Sequence, residues 1–207
     1  TDADATRLSA LGAKNVATLG NLKFDIAAPD GVATAASSMR ARFGGARPVL
    51  LAASTREGEE ALLVDAWSSA RGAMPAGTLL VVVPRHPQRF TAVSRLLDER
   101  RMRHASRSDE ADVPEQVDIV LGDSMGELPT YYAAADIAFV GGSLVPLGGQ
   151  NLLEALAAGT PALVGPHTFN FAAATDEAVA SGAAVRVRDA DALMREADRL
   201  LRDDGAR

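Results

Sequence analysis

The feature that most constrains the fold is the alternation of short, wholly apolar segments with helix-like segments along the chain. Leu79–Val83 and Ile137–Val140 are apolar at every position, which is typical of strands that are covered on both faces. Strands that alternate with helices through short connections predict a parallel sheet with helices on both faces. The sequence therefore predicts an α/β protein with a Rossmann-like fold.

The apolar runs predict strands, and the segments between and after them predict helices. The predicted strands are Val16–Leu19, Val49–Ala53, Leu79–Val83, Val117–Leu121, Ile137–Val140, Ala162–Val164 and Ala184–Val187. The predicted helices are Val32–Phe43, Gly58–Arg71, Arg89–Arg101, Gly126–Ala134, Asn151–Ala158, Phe171–Ala180 and Ala190–Arg202. We expect the charged segment Arg101–Gln116 to be a surface loop with room for one poorly patterned strand.

Composition excludes several classes of function. The 207 residues include 21 Lys and Arg against 27 Asp and Glu, a net charge of −6, which argues against a nucleic-acid partner. The absence of cysteine excludes disulfides, thiolate catalysis and cysteine-zinc sites. The longest uncharged stretches, Ile137–Leu153 and Ala155–Thr175, contain Gly, Pro and polar residues and do not resemble a membrane span. Because the sequence begins at Thr1 and not at Met, we expect it to be a segment of a longer chain.

Polar, glycine-rich loops follow the predicted strands, whereas the segments that precede the strands are plain. In chain order these loops read GNLKFD, STREGEE, PRHP, GDSMGE, GGSLVPLGGQN and GPHTFN. The carboxyl ends of parallel strands lie along one edge of a sheet, and ligands bind beyond that edge in open α/β folds. We therefore expect these loops to form a ligand site.

The loop GGSLVPLGGQN is the most informative of the six. Its four glycines allow the backbone to approach a ligand closely, and Asn151 is placed to cap a helix whose free N–H groups favour an anion. Glu154 falls in the first turn of that helix, where its carboxylate is placed to accept hydrogen bonds from a ribose diol. Alternatively, Asn151 and Glu154 form only a capping box, and the residues alone leave both interpretations open.

The segment STREGEE predicts the start of a helix. Ser54 or Thr55 is a natural N-cap, and the acidic residues Glu59 and Glu60 suit the first turn. Arg56 is harder to explain as a purely structural residue, because a cation opposes the helix dipole at this end.

The segment PRHP places two more candidates at a strand end. Arg85 is suited to a phosphate or a carboxylate, and the alternative is an ordinary surface arginine. His86 is either an acid–base group or a packing residue. Weaker candidates, each with an ordinary structural alternative, are His167, Lys23 and Asp25.

Taken together, the loops resemble one family. The strings are GNLKFD, STREGEE, PRHPQRF, GDSMGELPTYYAAADIAFVGGSLVPLGGQNLLE and GPHTFNF, and they resemble the C-terminal half of 3-deoxy-D-manno-octulosonic acid (Kdo) transferases. Those enzymes are bacterial lipid A glycosyltransferases of the GT-B fold. The resemblance extends from Leu8 to Leu201 in matching order and spacing. GNLKFD, STREGEE and GPHTFNF make it specific, whereas ADIAFVGGS and LLEALAAGTP are shared by many GT-B enzymes.

The resemblance implies that residues 1–207 form a single domain that binds the donor CMP-Kdo, with no cofactor and no metal. It places the family's CMP contacts on Pro84, Arg85, Met125, Gly126, Glu127, Asn151, Leu152, Leu153 and Glu154. Further donor contacts that it suggests are Ser54, Arg56, His86, Ser143 and Gln150. Gln150 and Arg56 depart from the family pattern, since relatives often have histidine at these positions.

The resemblance also implies an N-terminal domain, absent from this chain, that carries a glutamate general base, the site for the lipid A precursor (lipid IVA) and the membrane contact. The full-length protein would be an inverting transferase of lipopolysaccharide biosynthesis at the cytoplasmic side of the inner membrane. We expect this domain alone to be soluble and inactive, with no direct membrane contact and no nucleic-acid partner. Two alternatives remain open: a GT-B transferase or epimerase for UDP-sugars, and a non-catalytic nucleotide-binding module.

Overall fold

A computed structural model describes residues 2–18 and 29–207. The strands of the described chain are β1 (Val49–Thr55), β2 (Leu79–Pro84), β3 (His104–Ser106), β4 (Ile119–Leu121), β5 (Ile137–Val140), β6 (Ala162–Val164) and β7 (Ala184–Arg186). They form one parallel sheet in the order β3-β4-β2-β1-β5-β6-β7. The predicted parallel α/β architecture is confirmed.

Helices cover both faces of this sheet. Their bounds are α1 (Asp2–Ala10), α2 (Val32–Arg42), α3 (Glu59–Ala70), α4 (Phe90–Glu99), α5 (Leu128–Ala134), α6 (Leu153–Ala157), α7 (Ala172–Ala180) and α8 (Ala190–Arg202). Helices α2, α5, α6 and α7 pack on one face, and α3, α4 and α8 pack on the other. None of the helices in the described ranges is long and apolar enough to cross a membrane.

The side chains of β1 explain why the sequence pattern has no polar face. Val49, Leu51 and Ala53 belong to the core cluster on one face of the sheet, and Leu50 and Ala52 belong to the cluster on the other. Successive side chains of a strand point to opposite faces, so a strand covered on both sides must be apolar throughout. This burial holds β1 at the centre of the sheet.

One predicted strand is wrong, and one strand is present in the charged segment where the sequence left room for it. Within the predicted strand Val16–Leu19, residues 16–18 have no regular structure, and Leu19 lies outside the described residues together with Lys23 and Asp25. Strand β3 lies in the charged segment that was predicted as a surface loop with room for one strand. Its residues are only half-buried and it pairs with β4 alone, so no apolar run marks it in the sequence.

The strand order reverses between β1 and β5. The chain continues from β1 to β2, β3 and β4 on one side, whereas β5, β6 and β7 extend the sheet on the other side. Ligands in open α/β sheets bind at such a reversal, beyond the carboxyl ends of the strands. The loops STREGEE and GGSLVPLGGQN follow β1 and β5, so they meet at this point.

Candidate functional site

The carboxyl ends of β4, β2, β1 and β5 lie side by side and bring most of the predicted site residues to one edge of the sheet. Glu127 follows β4, Arg85 follows β2, Arg56 follows β1, and Asn151 and Glu154 follow β5. The expectation that these loops would share one edge is met.

Backbone hydrogen bonds connect neighbouring loops at this edge on both sides of the strand-order reversal. The Arg85 N–H donates to the Thr55 carbonyl at 2.9 Å, which ties the loop after β2 to the end of β1. On the other side, the His167 N–H donates to the Ser143 carbonyl at 3.0 Å, which ties the loop after β6 to the loop after β5. The edge is therefore a connected backbone network.

Glu59 joins the two loops at the strand-order reversal. Its side chain is fully buried, and its carboxylate accepts hydrogen bonds from the N–H groups of Gly142, Ser143 and Leu144 at 2.6, 3.0 and 2.9 Å. A fourth N–H, that of Arg56, donates to the same carboxylate at 2.9 Å. The first-turn role assigned to Glu59 from the sequence is therefore incomplete.

The predicted caps Ser54 and Thr55 are wrong. Helix α3 has Gly58 as its N-cap, in the left-handed conformation with φ +92° and without a side-chain cap. Thr55 Oγ1 instead donates to Glu60 at 3.3 Å. Ser54 is buried and has φ +54°, at the point where the register of β1 against β2 shifts.

Ser143 is used inside the fold and not at the ligand edge. Its side chain is fully buried, and its hydroxyl donates to the Val140 carbonyl at 2.6 Å while accepting from the Gly165 N–H at 2.8 Å. Because the side chain is fully buried, this hydroxyl is not exposed for the donor contact that the resemblance suggested. The sequence showed only a serine in a glycine-rich loop and not the carbonyl that its hydroxyl binds.

The start of α6 differs from the prediction. The helix begins at Leu153 and not at Asn151, and Asn151 Oδ1 accepts from the Leu153 N–H at 3.2 Å. Asn151 Nδ2 donates to Glu154 Oε1 at 3.2 Å. In a reciprocal capping box the acid would instead accept from the cap's backbone N–H. Leu152 and Leu153 are buried in the core, so they offer only backbone groups to a ligand.

Glu154 also lies on the wall of a groove of about 400 Å³. Its walls are formed by the start of α2, the residues just before it, and parts of α5 and α6. They include Asp30, Val32, Pro129 and Ala133. The groove therefore combines apolar side chains with two carboxylates. Such a lining suits an uncharged group that donates hydrogen bonds better than it suits a phosphate.

The loop after β4 is held by a charged pair. Glu127 Oε1 accepts from Arg107 Nη2 at 2.8 Å, and its other oxygen accepts from the Ser124 hydroxyl. That hydroxyl lies 3.2 Å from the hydroxyl of Tyr131, whose pKa burial raises to about 12. Tyr131 therefore stays a neutral hydrogen-bonding partner. Met125, in the same loop, is exposed, and Gly126 has φ +79°.

Arg107 is a site residue that the sequence did not indicate. It belongs to the segment after β3 that was predicted as a charged surface loop. A run of charged residues gives no sign of which one turns toward the site. The pairing of β3 with β4 would have been the signal, since it brings Arg107 next to the loop that carries Glu127.

The two arginines predicted as donor contacts, Arg85 and Arg56, are accessible to an anion. Arg85 is exposed and Arg56 is half-buried, and within residues 2–18 and 29–207 neither guanidinium has a hydrogen-bond or ion-pair partner. Arg89, by contrast, is bound by Glu57 at 3.0 Å and Glu60 at 3.2 Å. The edge thus presents free cations beside β1 and β2.

The other predicted contact residues differ in their exposure to solvent. Pro84 is buried at the end of β2, His86 is exposed, and Gln150 is half-buried beside Gly142. Among the described residues, no group of His, Asp or Glu side chains is arranged to hold a metal ion.

Comparison with known proteins identifies relatives. Residues 95–207 match the family of Glycosyl transferases group 1. The whole chain is 45% identical to the 3-deoxy-D-manno-octulosonic acid transferase of Bordetella pertussis and covers 49% of it. The corresponding transferase of Haemophilus influenzae is 40% identical over 88% of the chain, which covers 43% of that relative. The chain thus spans about half the length of the curated relatives it matches.

Solved structures agree with these relatives. The C-terminal CMP-Kdo binding domain of WaaA from Acinetobacter baumannii superposes with a TM-score of 0.80 and 31% identity. That match covers 84% of this chain and 91% of that domain. Anabaena HepE in complex with UDP superposes with a TM-score of 0.57 at 15% identity, over all of this chain and 54% of that one, which shows a common fold alone.

Proposed function

Because the chain belongs to the group 1 glycosyl transferases, as a relative of Kdo transferases, we propose that it is the domain that binds the donor CMP-Kdo. The observation that carries the proposal is the match to 91% of a solved CMP-Kdo binding domain, joined to an edge whose cations and carboxylates suit the two parts of such a donor. The whole protein would transfer Kdo to a lipid A precursor.

The ribose of the donor is proposed to lie in the groove beside Glu154. Glu154 Oε1 is engaged by Asn151, and within the described ranges Oε2 has no hydrogen-bond partner. A carboxylate with a free oxygen is a strong acceptor for the hydroxyls of a ribose. Asp30 on the opposite part of the groove adds negative charge, which keeps the phosphate out of it.

The phosphate is proposed to lie against Arg85, with Arg56 beside it. In the transfer, the acceptor hydroxyl gives up its proton to the general base of the other domain and forms the new glycosidic bond to Kdo, while the bond between Kdo and the CMP phosphate breaks. Negative charge then grows on the departing phosphate, and a guanidinium paired with it stabilises this charge more than it stabilises the bound donor. Backbone groups near Pro84 and Met125, which follow neighbouring strands at the same edge, are proposed to read the cytosine.

The remaining features of the reaction follow from the resemblance to Kdo transferases. They are an inverting course without metal or cofactor, a general base and acceptor site on another domain, and a place at the inner membrane in lipopolysaccharide biosynthesis. The decisive experiment is a calorimetric titration of the purified chain with CMP and with UDP. Binding of CMP in preference to UDP supports the proposal, and a preference for UDP favours an enzyme of UDP-sugars instead.

A further inference from the structure

The Glu59 carboxylate acts as an internal anion in a cradle of backbone N–H groups. Three consecutive N–H groups, those of Gly142, Ser143 and Leu144, converge on it, and the Arg56 N–H completes four hydrogen bonds. Successive N–H groups that point into one concavity form an anion site, which in many proteins holds a phosphate. Here a side chain of the protein itself fills that concavity, so these three N–H groups are not available to the donor.

The hydrogen bonds of Glu59 cross the strand-order reversal. Glu59 belongs to the start of α3, after β1, whereas its three partners follow β5 and lie 83 to 85 positions along the chain. The two loops are also in close backbone contact, since a Cβ at Gly141 would lie 2.5 Å from the Ser54 carbonyl oxygen. Glu59 therefore fixes the distance between the two loops that border the candidate donor site.

The effect of Glu59 extends to the residues that face the ligand. Gly142, held through its N–H by Glu59, accepts a hydrogen bond at its own carbonyl from the Gly149 N–H at 2.7 Å. Gln150 closes the same loop, since its N–H donates to the Gly141 carbonyl at 2.9 Å. Asn151 follows directly and binds Glu154. These two backbone hydrogen bonds, at Gly149 and Gln150, would therefore carry a displacement of Gly142 to the neighbouring Asn151.

From this geometry we propose that Glu59 is a positioning residue, which holds residues 141–151 in the shape that binds the nucleotide of the donor. This proposal rests on the proposed function. Glu59 touches no ligand itself, because its side chain is fully buried and both of its oxygens are occupied. Its contribution is to keep the glycine-rich loop from opening.

The test replaces Glu59 with glutamine. Glu59→Gln keeps the size of the side chain but turns an NH₂ group toward N–H groups that need an acceptor. The matched control is Glu60→Gln, because Glu60 is also a buried acid in the first turn of α3 but binds Arg89 and Thr55 instead of the loop. Two quantities are measured: CMP affinity by calorimetry, and hydrogen exchange of the amides without nucleotide.

We expect Glu59→Gln to weaken CMP binding by about tenfold or more, since hydrogen bonds to a charged group are lost. The amides of residues 141–151 should exchange faster, while those of β1, β2 and α8 keep their protection. Glu60→Gln should change CMP affinity by about twofold at most, as expected for a residue outside the binding network. If Glu59→Gln does not fold, Glu59→Asp, which keeps the charge on a shorter side chain, is measured in the same way.

Three results would overturn the proposal: an unchanged CMP affinity, weaker binding without faster exchange in residues 141–151, or a loss of protection spread over the whole sheet. Failure of the unsubstituted chain to bind CMP would instead contradict the proposed function. The exchange comparison needs no nucleotide and still decides whether Glu59 holds the loop.

Discussion

Arg107 Nη2 and Glu127 Oε1 lie 2.8 Å apart and join the segment after β3 to the loop after β4. Both side chains are mostly buried, at 20% and 30% exposure, so the pair is shielded from solvent more than a surface ion pair is. Ser124 holds the other oxygen of Glu127. The carboxylate is thus fixed in place on both sides before any ligand arrives.

We therefore expect Arg107→Gln to weaken CMP binding by about fivefold, the equivalent of one net hydrogen bond of about 1 kcal/mol. Without the guanidinium, the loop of Met125–Glu127 loses one of its two side-chain anchors. Calorimetry measures the change. Arg103→Gln is the control, because Arg103 pairs with Asp118 at the amino ends of β3 and β4, away from the candidate site. An equal loss of affinity in both variants would refute a local role for Arg107.

The role of Glu154 is tested by Glu154→Gln. If Glu154 binds the ribose hydroxyls, the variant should bind CMP about tenfold to a hundredfold more weakly, as for hydrogen bonds to a charged group. Without ligand, the variant should lose less stability than the loss of a helix cap would cost, about 1 kcal/mol, because the amide oxygen still accepts from Asn151. Thermal melting of the unliganded protein measures this change.

Glu177→Gln serves as the control for Glu154→Gln, since Glu177 lies exposed on α7, away from the groove. Unchanged CMP affinity together with a lower melting point would make Glu154 a structural residue only.

Discrimination between bases is a separate prediction. Cytosine carries an amino group where uracil carries a carbonyl, and backbone carbonyls near Pro84 and Met125 are the expected acceptors. CMP should therefore bind more tightly than UMP by about 1 kcal/mol, the worth of one net hydrogen bond. Competition between the two nucleotides in calorimetry measures the difference. Equal affinities would remove the support for a CMP-sugar donor.

The pH dependence of stability is predicted from Glu60. Burial raises the pKa of Glu60 above its usual value, although Arg89 and Thr55 act in the opposite direction. A raised pKa in the folded state means that the folded protein favours the protonated carboxyl. This contribution to stability is complete below the ordinary glutamate pKa of about 4.3, and it is lost as the pH rises through the raised pKa.

Glu60→Gln lacks this titration, so the stability of the unsubstituted chain relative to the variant should fall as the pH rises from acid to neutral. Thermal melting of both proteins over that pH range gives the difference. A difference that stays constant with pH, or that changes in the opposite direction, would contradict the assignment. Comparing the two proteins cancels the titration of the other acids.

The sequence predicted the central strands well because burial leaves a local mark. β5 and β6 begin and end at the predicted residues, since every position in them faces a core. β3 leaves no such mark, because it is held by backbone pairing to β4 and its side chains are half-buried. Edge strands depend on a neighbour that local composition does not reveal.

The candidate site was predictable where a residue follows a strand, and not where it depends on a distant partner. Arg85 was predicted because it directly follows an apolar run, and Glu154 because it falls in the first turn of the helix after the glycine-rich loop. The hydrogen bonds of Glu59 and Ser143 were not predicted, because their partners are far along the chain or belong to the backbone. The local sequence pattern predicts which residues follow a strand. Which loops contact each other depends instead on the order of the strands in the sheet.

From the central place of β1 we expect an order of events in folding. Leu50 pairs with Leu80 in β2 on one side and with Ile137 in β5 on the other. The second side of β1 therefore stays unpaired until β5, much later in the chain, joins the sheet. Closing so long a loop is slow compared with forming the β1–β2 pair. The edge of the sheet that carries the candidate site is then complete only when both halves of the sheet have joined. A ligand that touches both loops then favours the completed sheet over any half-built intermediate.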